Sequence, residues 1–244
     1  MAGHNKWSQI KRKKAANDAS RGKIISKHIR AIQSAVRESG SADTTTNLAL
    51  KNALSAAKSD NVPADNIDRA IERALGGTEG GNYEAVTYEG YGPAGIALLV
   101  EGLTDNRNRT IAEVRHVFSK GGGNLDGGTA WQFDAKGVIV LKDKSEAAQE
   151  AAIELGAEDL EIDEEGLTIY TDPTELHTVT EGLETAGFES DISQLSKVPQ
   201  VETALSEEDA LKVARFIEQL EDLDDVQNVY TNADLGALDA VGEA

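Results

Sequence analysis

Ten lysine and arginine side chains stand within the first 37 residues: Lys6, Lys11, Arg12, Lys13, Lys14, Arg21, Lys23, Lys27, Arg30 and Arg37. Asp18 is the one acid among them, so the segment carries +9 inside a chain of net charge −19, and everything after it sums to −28. A cationic end on so acidic a protein attracts polyanions, and the commonest of these are nucleic acids. Lys11 to Lys14 is an unbroken run of four cations, which repel one another until phosphates neutralise them. Trp7, just upstream, has a flat face on which a base stacks, or which covers the edge of a helical bundle.

A second stretch with chemistry in it is Thr104-Asp105-Asn106-Arg107-Asn108-Arg109-Thr110. It reads as a strand-to-helix junction with Asp105 as the cap, and it places Arg107 and Arg109 in the first helical turn, where the dipole disfavours positive charge. Two departures from one local rule point to an anion nearby. That anion is either a bound phosphate, held by free N–H groups and guanidinium forks, or the neighbouring carboxylates of an acidic domain. Tyr88, Tyr91 and Pro93 lie beside the junction and read first as a packed turn, second as stacking surface.

Other chemistry is poorly represented. The chain has no cysteine, so it makes neither disulfides nor thiolate sites. His4, His28, His116 and His177 are scattered without metal-ligand spacing, and His28 reads as packing. No serine sits on a nucleophile elbow, and the glycines at 121–123 and 127–128 lack the Lys-Ser/Thr of a phosphate loop. The acid clusters Asp159–Glu165 and Glu218–Asp225 read as solvated, repulsive faces; as Mg²⁺ ligands they would make a nuclease, the minor alternative to a non-enzyme. No cofactor, metal or small-molecule substrate is expected.

The cations need an element to hold them. From Gly22 to Arg37, Ile25, Ile29, Ile32 and Val36 share an arc of roughly 60° at helical pitch, while Lys23, Lys27, Arg30 and Arg37 share another of about 80°, roughly 145° away. Burying the apolar face should leave the basic face outward. Helices over 48–58 and from Pro63 to a Gly76-Gly77 stop complete a small bundle. Residues 1–80 sum to +6 and the remainder to −25, which marks a domain boundary near residue 80. Beyond it come strand-like 85–89 and 95–103, a helix over 106–120, and strands at 123–126 and 130–134. A full β–α–β–β–α–β order then runs from 136 to 199, the split βαβ, ferredoxin-like pattern. A helix over 206–222, opened by Ser206 and three acids, and a strand over 226–231 supply what the preceding unit lacks.

The fold class expected is therefore α+β with three domains: a basic helical bundle at 1–80, a discontinuous α/β domain at 81–135 plus 200–244, and a ferredoxin-like domain at 136–199 inserted into it. Both α/β domains are expected to be ferredoxin-like. The longest apolar run, Ile96–Val100, is far short of a membrane span, and no apolar segment follows the basic start. The expected address is cytoplasmic, with no membrane partner.

The opening Met1-Ala2-Gly3-His4-Asn5-Lys6-Trp7, then Ile10-Lys11, Lys14-Ala15-Ala16, Arg21-Gly22-Lys23-Ile24, the turn Tyr88-Glu89-Gly90-Tyr91-Gly92-Pro93 and the Thr104–Thr110 string resemble the YebC/PmpR family, which includes a mitochondrial translational activator of cytochrome oxidase. The likeness runs the whole length. It implies a helical N-terminal domain followed by two α/β domains, and a DNA-binding transcriptional regulator. Other members act in translation on the ribosome and relieve stalling, so ribosomal or transfer RNA is the alternative partner. Carried over by position, the segment from Lys6 through Lys27 would be the nucleic-acid surface. Asn5 stands where the family usually has Ser, and Asp126-Gly127-Gly128-Thr129-Ala130-Trp131 departs from its usual Gly-Ser-Val pattern, so no role is carried over to that hairpin. The expected contacts are Lys6, Trp7, Lys11, Arg12, Lys13, Lys14, Arg21, Lys23, Lys27 and Arg30, with Arg107 and Arg109 as a second patch, and weak sequence specificity.

Overall fold

The isoleucine stripe near the N-terminus does what its spacing requires. In the computed structural model, which describes residues 18–76, 83–163 and 166–238, helix α1 spans Asp18–Ser39. It buries Ile32 and Val36 fully, and Ile25 and Ile29 in part, against α2 (Leu48–Ser59) and α3 (Ala64–Gly76). Asn47 joins the first two helices. Its side-chain oxygen caps α2 by accepting from Leu50 N at 3.0 Å, while its amide donates to Ala35 O, Ser39 Oγ and Ser41 O.

A three-stranded antiparallel sheet follows, in the order β1 (Glu84–Tyr91), β2 (Ala97–Thr104), β8 (Val226–Thr231). Helices α4 (Arg107–Lys120) and α7 (Glu207–Glu221) cover one face, meeting through the Phe118 and Phe216 rings packed edge-on at 5.2 Å. Ser206 caps α7 as its sequence predicts, accepting from Asp209 N. Because β2 pairs with β8, the stretch between α4 and α7 that carries the next four strands forms a separate layer. That layer is a four-stranded antiparallel sheet ordered β4 (Asp159–Ile162), β5 (Leu167–Thr171), β3 (Phe133–Leu141), β6 (Ser190–Pro199), with α5 (Glu146–Glu154) and α6 (Leu176–Thr185) on one side. This is the ferredoxin-like order, inserted into the three-stranded unit. Two short strands, β7 (Thr203–Ala204) and β9 (Ala233–Asp234), pair in parallel at the return.

The three-stranded unit is simpler than the ferredoxin-like reading of its sequence. The strands expected at 123–126 and 130–134 do not form: Asn124 makes one isolated bridge to Tyr91, residues 130–132 are a 3₁₀ turn, and Phe133 begins β3 of the other sheet. The cause is close packing of a glycine-rich coil against β1. A Cβ at Gly123 would lie 2.7 Å from Tyr91 O, and one at Gly127 would lie 2.7 Å from the Tyr91 ring. The Glu89 carboxylate accepts from Thr129 N and Ala130 N, consuming donors a strand would have paired.

Candidate nucleic-acid interface

Lys6, Trp7, Lys11, Arg12, Lys13 and Lys14 lie outside the described residues. Arg21, Lys23, Lys27 and Arg30 lie on α1, with Arg21 and Lys23 exposed and Lys27 and Arg30 half-buried. The basic face of α1 does not simply look outward. It meets the corner where α7 ends and β8 begins. Lys23 Nζ donates to Asp222 Oδ1 at 3.0 Å and to the Asp222 carbonyl at 3.3 Å. One turn on, Lys27 Nζ donates to the Glu221 carbonyl, and Arg30 Nη1 reaches the Asp224 carbonyl and Asp225 Oδ1. The Arg30 guanidinium also lies over the Tyr83 ring, 5.1 Å from its centre.

This corner was expected to be a solvated, repulsive face, and the charge of α1 corrects that reading. The last carbonyls of a helix have no partner within it and carry the negative end of its dipole, and here three aspartates, at 222, 224 and 225, follow them. A row of cations from another helix is the natural complement.

Asp225 is the centre of the arrangement. Its side chain is 4% exposed. Oδ2 accepts from Thr104 Oγ1 at 3.0 Å, Thr110 Oγ1 at 2.7 Å and Arg109 Nη2 at 2.6 Å, while Oδ1 faces Arg30 at 3.3 Å. Burial pushes the carboxyl up, but the hydrogen bonds from Arg109, Thr110 and Thr104, with the Arg109 charge, outweigh it and hold Asp225 below its ordinary value. In turn, hydrogen bonds to Asp225 and then Asp105 hold the Arg109 guanidinium still more firmly protonated.

The two first-turn arginines therefore answer the anion question with carboxylates. Arg109 pairs with Asp105 and Asp225, and Arg107 lies 3.5 Å from Glu84. The helix cap is Asn106, which accepts from Arg109 N; Asp105, expected to cap, holds the Arg109 side chain instead. Sequence reasoning missed Asp225 as an individual, along with Thr104 and Thr110 as its donors. The available signal was Asp225 standing immediately before an apolar strand, where a carboxylate is buried only if it is bonded.

Of the remaining candidates, Tyr88 packs on the core of the three-stranded unit, and Tyr91 is 38% exposed above the glycine-rich coil. His28 bonds to Asp60 across α1 and α2 at 2.7 Å, and His177 bonds to Asn52 at 2.8 Å. Among the described residues, no group of three or more His, Asp or Glu is placed to hold a metal ion, and no helix is long and apolar enough to cross a membrane.

Comparison with known proteins covers nearly the whole chain. Residues 5–77 match the family model described as the TACO1/YebC protein N-terminal domain, and residues 83–233 match that of the TACO1/YebC second and third domain. A probable transcriptional regulatory protein of Deinococcus radiodurans is 56% identical over 238 residues, covering 96% of this chain and 98% of that one. Another, from Thermus thermophilus, is 57% identical over 241 residues, covering 98% of each. Among solved structures, the crystal structure of a conserved hypothetical protein from Aquifex aeolicus matches with a TM-score of 0.78 at 45% identity, covering 88% of this chain and 91% of that one.

Proposed function

Because the chain belongs to the TACO1/YebC family, we propose that it is a non-enzymatic regulator that works in the cytoplasm by binding nucleic acid, with DNA as the polymer. The relatives named as transcriptional regulatory proteins support the regulator part. The observation that carries nucleic-acid binding is the charge division: +9 over residues 1–37 against −28 in the rest. Lys6, Lys11, Arg12, Lys13, Lys14 and Arg21 neutralise phosphates and release counterions, and Lys23, Lys27 and Arg30 extend the stripe along α1. Trp7 stacks on a base at the edge of the contact. The acidic remainder repels flanking polyanion and orients the approach. Arg107, 65% exposed, borders the junction as an outlying phosphate contact, while Arg109 acts through Asp225 as a positioning residue.

The test is retardation of duplex DNA by the purified protein across a salt series. Changing Lys11, Arg12, Lys13 and Lys14 to Glu should abolish binding at moderate salt, and the wild-type affinity should fall by about a thousandfold or more between 50 and 200 mM salt. A salt-insensitive complex would overturn the reading. Ribosomal RNA presents the same phosphodiester chemistry. Co-migration of wild-type protein with ribosomes in a sucrose gradient, lost in the quadruple variant, would reassign the polymer to RNA. Cleavage of substrate in Mg²⁺ or Mn²⁺ would instead make the protein a nuclease.

A further inference from the structure

We propose that the contact between α1 and the α7–β8 corner is an autoinhibitory clasp, in which the protein's own carboxylates and helix-end carbonyls occupy the cations that would otherwise hold phosphates. The proposal rests on α1 being part of the nucleic-acid surface and concerns how that surface is controlled.

The acceptor set resembles a phosphate backbone in its chemistry. Lys23, Lys27 and Arg30 stand at i, i+4 and i+7, one stripe about 10 Å long, over which duplex DNA carries about six charges. At the corner the stripe meets anionic and carbonyl oxygens from Glu221, Asp222, Asp224 and Asp225. The protein thus satisfies its own phosphate-binding stripe from within.

The clasp is also built to open at low cost. Lys23 and Asp222 are 48% and 64% exposed, and a pair so open to water contributes little. The Glu221, Asp222 and Asp224 carbonyls sit at a helix end, where water can replace the lysine and arginine donors. Asp225 is the one buried carboxylate, and losing Arg30 does not orphan it. Thr104, Thr110 and Arg109 all bond its other oxygen and remain in place. The apolar cores of the helical bundle and of the three-stranded unit are separate clusters that share no residue, and the contacts described between α1 and the corner are polar. A polyanion that offers many phosphates at once can therefore exchange with the corner, and a weak or short one cannot. The clasp sets a threshold for binding.

The test joins the two sides covalently. The chain has no cysteine of its own, so the Lys23→Cys/Asp222→Cys double variant can be tethered with a short bismaleimide and compared with the same protein left open. Both positions are exposed, and a urea midpoint for the untethered variant that matches the wild type checks the fold, since the tether itself raises the midpoint by constraining the unfolded chain. On a duplex DNA and on an RNA hairpin, the tethered form should bind about tenfold more weakly. Its slope of log affinity against log salt should be shallower by about two phosphate contacts, because Lys27 and Arg30 stay covered. The probe showing the larger loss identifies the polymer the stripe serves. Equal affinity and equal slope for tethered and open protein on both probes would overturn the clasp. If wild-type protein retards neither probe, the nucleic-acid reading itself fails, a result distinct from a tether that changes nothing.

Discussion

Asp225 receives four donors from three parts of the chain, and its loss should be felt in all of them. Asp225→Ala leaves the buried Thr104 hydroxyl without its acceptor, while Thr110 keeps the Asn106 carbonyl and Thr104 Oγ1, and should cost about 1–3 kcal/mol in urea denaturation. Arg109, 45% exposed, turns to water and limits the damage. The pH dependence has a definite sign. The folded value of Asp225 lies below the ordinary 3.8, so its contribution is present above 3.8 and is lost as pH falls through the lower folded value. The wild-type urea midpoint should therefore drop in that acid window more steeply than that of Asp225→Ala. Parallel curves would show that the carboxylate is not held as described. The arginines at 107 and 109 were visible in the sequence as cations in the wrong turn of a helix, and the presence of an anion followed correctly. Which anion did not follow, because Asp225 is 116 residues away from Arg109 and only pairing of β2 with β8 brings it there.

At the scale of elements, α4 and α7 can approach only because position 121 has no side chain. A Cβ there would lie 2.2 Å from the Phe216 ring, which is itself wedged against Phe118. Gly121→Ala should destabilise the three-stranded unit by about 1–3 kcal/mol through overpacking, measured by thermal or urea unfolding. A neutral result would mean the two helices slide apart freely. Asn47→Ala removes the cap of α2 and the donor that ties α1 to it, and should cost about 2 kcal/mol in the same assay. Helices and the insert's strands were legible because period and capping are local. The insert has the β–α–β–β–α–β order read from its sequence, with β4 spanning residues 159–162 as expected and its first strand reaching back to Phe133. The two absent strands near 123–134 were misread because the glycine contacts with Tyr91 and the Glu89 carboxylate that displace them are tertiary.

For the whole molecule, the helical bundle reaches its neighbours through polar contacts on two sides. Beyond the basic stripe, α2 meets the inserted unit: Ser55 Oγ donates to Ser193 O at 2.7 Å, Lys51 pairs with Glu181, and His177 bonds Asn52. Burial, with the nearby Lys51 charge, holds His177 below its ordinary 6.5, and Glu181 only partly offsets them. Its neutral form is thus part of the docked state. That contribution is intact above 6.5 and is lost as pH falls through the lower folded value. The radius of gyration from small-angle scattering should rise as the solution is acidified through this window, and His177→Gln should flatten the change. An unchanged radius in the wild type would show that the contact does not depend on the imidazole.

What the sequence determined alone was what depends on neighbours along the chain: the charged N-terminal end, the amphipathic helices, the order of the inserted unit and the likeness to a family of regulators. The first three follow from side-chain spacing of a few residues or from summed charge and the last from the motifs the chain resembles, and none needs a fold to be counted. Tertiary structure decided what the cations of α1 and α4 face. Two oppositely charged segments nearly 200 residues apart attract only once the chain has brought them together, so Lys23 and Asp222 read separately as a binding surface and a repulsive face. In the folded protein they are partners, since opposite charges at 3.0 Å satisfy each other where each alone would be left to solvent.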